Sequence, residues 1–132
     1  MAKRLPREFN CAVEFALEIL GGKWKPVILC YLKVKPLRYA DLRKLIPKLS
    51  EKVLTERLQD LQHVGLIEHR NSKSKRGGVY ALTPRGRSLE PILADLDAWG
   101  TKNASAFSIR VGRPLARLRE MQAADRSRTA GS

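Results

Sequence analysis

Apolar residues recur along this chain mostly at helical spacing. Val13, Ala16, Leu17 and Leu20 predict a helix over residues 11–20, stopped by Gly21-Gly22. Residues 24–32 are almost wholly apolar (Trp24, Val27, Ile28, Leu29, Tyr31, Leu32), and Pro26 is tolerable only in a first turn, so a buried central helix is expected there. A short extended piece, Pro36-Leu37-Arg38, leads to Tyr39, Leu42, Leu45 and Ile46 at helical positions, and Pro47 ends that helix. Ser50 is a good N-cap, Glu51 suits the first turn, Val53, Leu54, Leu58 and Leu61 form a stripe, and Gly65 stops the helix.

The period then changes. Residues 66–70 and 78–82 read as two strands joined by the polar, glycine-ended loop 71–77. Thr83-Pro84 starts another helix, with Leu89, Ile92, Leu93, Leu96 and Trp99 as its stripe and Pro91 expected to bend it. From Ser108 the chain turns Arg-rich. Leu115 to Met121 suggests one helical turn or two, and the last ten residues are expected to be disordered. The fold class is α+β, mainly α: helix, turn, helix and a hairpin wing, a winged helix-turn-helix.

At 132 residues the chain has room for one core, and its 43% hydrophobic content is ordinary, but its net charge of +13 is extreme. Such charge favours polyanions, because each cation set against a phosphate releases a counterion. A membrane partner is not expected, since the longest apolar run, Pro26 to Leu32, is far too short to span a bilayer. Lys3, Arg4 and Arg7 are followed by apolar positions broken by Glu8, Glu14 and Glu18, unlike a signal peptide, so a cytoplasmic location is expected. Cys11, Cys30, His63 and His69 lack metal-ligand spacing; neither a metal nor a cofactor is expected. Phosphate-loop glycines, carboxylate pairs around a histidine and Cys-His spacings are also missing from the sequence, which argues against an enzyme.

Opposite the Leu54, Leu58, Leu61 stripe stand Ser50, Lys52, Thr55, Glu56 and Gln59, donors and acceptors suited to base edges and phosphates of double-stranded DNA. Any solvated amphipathic helix shows such a face; its place after a tight turn and before a hairpin favours groove reading. Glu56 opposes phosphate but can accept from a cytosine amino group. Lys73, Lys75 and Arg76 lie in an acid-free stretch from Arg70 to Arg87 and suit a backbone or minor-groove contact. Lys23, Lys25 and Arg38, at predicted helix starts, are further candidate phosphate contacts. Cys11 heads the first helix, where the positive end of the dipole favours a thiolate; the alternative is a small buried hydrophobe. Cys30 reads as structural. The competing function is a winged-helix protein-interaction or RNA-binding module.

The chain resembles the HxlR-type winged helix-turn-helix regulators, relatives of the MarR group, over roughly residues 11–100. The motifs are Cys11-Ala12-Val13-Glu14, Gly21-Gly22-Lys23-Trp24-Lys25, Leu37-Arg38-Tyr39-Ala40-Asp41-Leu42-Arg43, Ile46-Pro47, and Ser50 through Leu58. Gly65-Leu66-Ile67, Tyr80 through Gly86 and Leu96-Asp97-Ala98-Trp99-Gly100 continue them. The resemblance implies a homodimer joined through N- and C-terminal dimerisation helices, with Val13, Leu17, Leu89, Ile92, Leu93, Leu96 and Trp99 at the interface, acting on a palindromic operator. It also implies a sensing role for Cys11 toward a small electrophile or oxidant. Residues 1–109 would form this domain and residues 110–132 a basic, partly disordered extension. At the wing, where the family usually has a Pro-Pro turn, Gly77-Gly78 stands here.

Overall fold

The computed structural model describes residues 5–71 and 77–130. Four helices, α1 (Ala12–Leu20), α2 (Lys25–Val34), α3 (Tyr39–Leu45) and α4 (Glu51–His63), precede a hairpin of β1 (Ile67–Arg70) and β2 (Val79–Leu82). The chain continues through α5 (Pro84–Arg87), α6 (Glu90–Ala104), a 3-10 turn at Ser105–Phe107 and α7 (Pro114–Ala130). Among the described residues, no helix is long and apolar enough to cross a membrane.

α2 is apolar almost all round because it is enclosed almost all round. Ile28, Leu29, Tyr31 and Leu32 are buried among the α3 and α4 leucines (Leu42, Leu45, Leu54, Leu58, Leu61), the hairpin residues Leu66, Ile67 and Leu82, and Leu93 and Leu118. α3 ends at Leu45, since Ile46 precedes proline and leaves helical geometry at φ −125°, ψ 67°. Ser50 Oγ then accepts from Val53 N at 3.2 Å and opens α4.

α4 closes on a Schellman motif. Leu66 N donates to Leu61 O at 2.9 Å and Gly65 N to Gln62 O at 3.0 Å, with Gly65 at φ +77°, a conformation glycine adopts without a Cβ penalty. That turn feeds straight into β1, which pairs antiparallel with β2 from Ile67↔Leu82 to Arg70↔Val79. Leu37, in the expected extended piece, joins β2 through an isolated antiparallel bridge to Tyr80. Its N–H donates to Tyr80 O at 3.0 Å and its carbonyl accepts from Tyr80 N at 2.7 Å.

Two expectations change in the C-terminal third. Pro91 does not bend one long helix: α5 and α6 are separate, with Ser88 and Leu89 between them and Pro91 in the first turn of α6. A proline lacks the N–H owed to the carbonyl four residues back and its ring crowds that carbonyl, so the helix restarts around it. Second, α7 is far longer than a turn or two, and residues up to Ala130, expected to be disordered, continue it. Leu118, only 1% exposed, enters the core and Met121 packs beside it, which docks α7 on α2 and α3. Before it, α6 and its 3-10 turn end in a second Schellman motif, with Ile109 N to Ala104 O at 3.0 Å, Ser108 N to Ser105 O at 3.1 Å and Ser108 itself at φ +56°.

Candidate nucleic-acid interface

α4 buries Leu54, Leu58 and Leu61 and leaves Lys52, Thr55, Gln59 and Gln62 exposed along its length. Ser50, at its start, is exposed too, although its hydroxyl oxygen is occupied as the cap. The Tyr39 hydroxyl donates to Glu51 O at 3.2 Å and lies 3.3 Å from Thr55 Oγ1, so α3 braces the first turns of α4 from the side. Glu56 differs from its neighbours. It is half-buried and, with Gln59 and His63, lines a cleft of about 530 Å³ against Glu18, Gly21 and Gly22. Its carboxylate therefore sits at the shoulder of the exposed face, toward the α1–α2 junction.

Two of the expected phosphate-binding cations are engaged within the fold. Lys25 Nζ lies 3.9 Å from Asp60 Oδ2, which Arg57 Nη1 also approaches at 3.7 Å, and Arg57 Nε donates to Lys23 O at 3.3 Å. These contacts tie the start of α2 to α4. Arg38 donates through Nε and Nη2 to the Asp41 carboxylate at 3.3 and 3.2 Å, and its backbone N–H donates to the same group at 3.0 Å. Burial alone pushes the Asp41 carboxyl up, but the hydrogen bonds from Arg38 and the charges of Arg38 and Lys35 outweigh it and hold the group below its ordinary range. Lys23 remains exposed, with Nζ 5.1 Å from the centre of the Trp24 ring. Trp24 caps α2 in the left-handed region, φ +86°.

On the wing, Arg70 Nε donates to Glu68 Oε1 at 2.7 Å, and the His69 ring stacks on Tyr80 at 4.4 Å. Lys73, Lys75 and Arg76 lie outside the described residues. Two exposed cations that the reading of the sequence did not single out, Lys44 and Lys48, flank the α3–α4 turn. The signal was present, since residues 42–50 contain no acid. Arg43 donates to Leu49 O within the same turn.

Away from this face, α1 and α6 carry large apolar side chains with nothing over them. Val13 and Leu17 on α1, and Ile92, Leu96 and Trp99 on α6, are exposed, Trp99 at 65%. Leu93 is instead buried and Leu89 packs against the core, so those two residues anchor α6. Phe107, Ile109 and Val111 extend the exposed apolar surface beyond α6. Cys11 is exposed at the head of α1, whereas Cys30 is half-buried; burial pushes its thiol up, which Lys33 opposes and Asp97 reinforces. Among the described residues no three His, Cys, Asp or Glu side chains cluster as a metal site would require.

Comparison with known proteins matches this arrangement. The family model described as HxlR-like helix-turn-helix covers residues 19–107. An uncharacterized HTH-type transcriptional regulator of Methanothermobacter thermautotrophicus is 40% identical over 94 residues, which are 70% of this chain and 72% of the relative. Among solved structures, the redox regulator HypR in its reduced form superposes with a TM-score of 0.70 at 30% identity, covering 74% of this chain and 98% of HypR. Quinone-bound YodB from Bacillus subtilis superposes with a TM-score of 0.60 at 29% identity, covering 68% of this chain and 96% of YodB. With its helix-turn-helix at α3–α4 followed by a hairpin wing, the chain belongs to the HxlR-like helix-turn-helix family and is a transcriptional regulator of the helix-turn-helix type.

Proposed function

We propose that the chain reads a specific double-stranded DNA sequence as a homodimer on a palindromic operator, with α4 in the major groove. The observation that carries this reading is the exposed polar edge of α4: Lys52, Thr55 and Gln59 stand clear of the body on a helix pinned by three buried leucines. Lys52 supplies a cation and Gln59 an amide able to pair with adenine. Lys23 and the loop cations Lys73, Lys75 and Arg76 serve the backbone, while Arg38 and Lys25 act chiefly by fixing α3 and α2. The exposed apolar surfaces of α1 and α6 support the dimer, because a second copy related by a two-fold axis would cover both.

Sensing belongs to the same proposal. Cys11 is the exposed thiol at the head of α1, beside the surface assigned to the partner subunit, and YodB has been solved with a quinone bound. Addition of the Cys11 thiolate to an electrophilic carbon would place a bulky adduct at that surface and alter the dimer.

Binding of the purified protein to its own promoter region and to shuffled DNA tests the first claim. Promoter DNA should bind about 10³-fold more tightly or better. Equal affinity for the two would overturn sequence reading, and unchanged affinity in a Lys52→Ala, Gln59→Ala variant would favour a protein-interaction module. For the second claim, Cys11→Ser should keep basal DNA binding and lose the response to diamide or a quinone; a wild-type protein indifferent to both reduces Cys11 to packing.

A further inference from the structure

We propose that α7 carries a second phosphate-binding surface, in which Arg113 and Arg117 join Lys44 and Lys48 to hold the sugar-phosphate backbone of duplex DNA beside the groove entered by α4. The inference rests on the groove-reading role assigned above to α4 and adds a contact outside the family's matched region, which ends at residue 107.

The placement comes from the docking of α7. Leu118 is buried and Met121 packs on the core, so α7 lies along α2 and α3. Arg117, adjacent to Leu118, stands near enough to the Tyr31 hydroxyl for its charge to oppose the upward push of burial there, and that hydroxyl lies 3.5 Å from the carbonyl of Leu45, the last residue of α3, on which α7 also packs. Arg117 therefore stands at the end of α3, where Lys44 and Lys48 are exposed. Arg113 is exposed four residues earlier, at helical spacing. The two segments that meet here are acid-free, residues 42–50 on one side and 108–119 on the other; Glu120, the first acid of α7, follows them.

The α3–α4 turn leads directly into the N-terminus of α4. If that end enters the major groove, the turn must lie against the backbone at the groove edge, and α7 packs beside the turn. Arginine suits this place better than lysine, because its planar fork can bond two phosphate oxygens at once. The composition of α7 agrees. It has little apolar stripe beyond Leu118 and Met121, and its cations are all arginine, four against the two acids Glu120 and Asp125, both of which follow Arg117.

The test uses the full chain with Arg113→Ala and Arg117→Ala together, beside an Arg113→Lys, Arg117→Lys companion. Binding of labelled promoter duplex and of a shuffled duplex of equal length is followed by fluorescence anisotropy between about 50 and 200 mM salt. The alanine variant should lose affinity equally for both duplexes, so that the ratio between them is unchanged, and its log-log salt slope should be shallower by roughly 1.8, about 0.9 for each of two phosphates. The lysine companion should keep most of the wild-type slope. Wild-type slope and affinity in the alanine variant would overturn the proposal. So would an equal loss in the lysine companion, which would mark lost packing against Tyr31 instead of lost charge. Lys44→Ala with Lys48→Ala, which leaves α7 intact, should lower the slope likewise. Should the wild-type protein not prefer its promoter, groove reading fails, yet the slope on shuffled DNA still decides the role of α7.

Discussion

Replacing Gly86 by alanine measures how firmly α5 is fastened to the end of α4. Gly86 is buried, and an ideal Cβ built on it lies 2.1 Å from Leu66 O, where contacts under 3.0 Å do not occur, so the two segments must part by at least about 0.9 Å. Both neighbours are backbone or core: Leu66 C at 3.1 Å and Leu82 Cδ2 at 3.2 Å are already tight. The displacement falls on a cluster of bonds, since Thr83 N donates to the same Leu66 O at 3.1 Å, Thr83 Oγ1 to Gly65 O at 2.5 Å and Arg85 Nη1 to Val64 O at 3.1 Å. Stretching one or two of these costs roughly 0.5–1.5 kcal/mol each and overpacking adds about 1–3 kcal/mol, so a loss of about 1.5–6 kcal/mol is expected. That is a large share of a domain stability of roughly 5–15 kcal/mol. Urea unfolding followed by circular dichroism, at one fixed protein concentration, should show a lower midpoint with an unchanged slope. Gly100→Ala is the control. Its Cβ meets nothing within 4 Å inside a helix, so stability should rise by roughly 0.5–1 kcal/mol. A Gly86→Ala protein within about 0.5 kcal/mol of wild type would refute the reasoning, because it would mean that α5 and Leu66 are free to separate.

Ser108→Gly should stabilise the protein by about 0.5–1 kcal/mol in thermal unfolding, because it removes a Cβ from the left-handed turn that ends the helical run after α6. Leu118→Ala should cost about 2–5 kcal/mol and make the arginines of α7 early sites of tryptic cleavage, while unchanged cleavage would show that Leu118 does not hold the helix. Asp41→Asn bears on pH. A carboxylate held below its unfolded value contributes stability that is fully present above about pH 4 and is lost as pH falls through the folded value, so wild type should weaken more steeply on acidification than the Asn variant. Parallel pH curves would remove Arg38 as the cause.

The helix-turn-helix and hairpin were legible because each boundary there carries local chemistry: Pro47, Ser50, Gly65 and the change of apolar period at Leu66. The break at Pro91 was legible as a disturbance but not as a new helix start, since proline suits a first turn as well as a kink. Of α7 only a turn or two at Leu115 to Met121 was legible, because apolar stripes mark few of its positions, whereas its full length comes from good helix formers such as Ala, Leu, Arg and Met, with one leucine docked. The exposed polar residues of α4 follow from helical spacing alone. The pairing of Lys25 with Asp60 does not, because tertiary packing creates it. Arg38 and Asp41 are three residues apart at a helix start, a spacing that suits their pairing, but Arg38 was expected there only as a phosphate contact.

The two hydrogen bonds between Leu37 and Tyr80 bear on how a signal could pass through this molecule. Leu37 immediately precedes the cap of α3, and Tyr80 sits in the strand that leads out of the wing, so the hairpin is laced to the helix-turn-helix at both margins, by these bonds and by the Gly65 turn. The wing cannot swing without carrying α3 and α4 with it. On the proposed dimer, an event at the α1 and α6 surfaces would then leave the reading of each half-site unchanged and act on the distance and angle between half-sites. Regulation by such an event would be a matter of operator spacing.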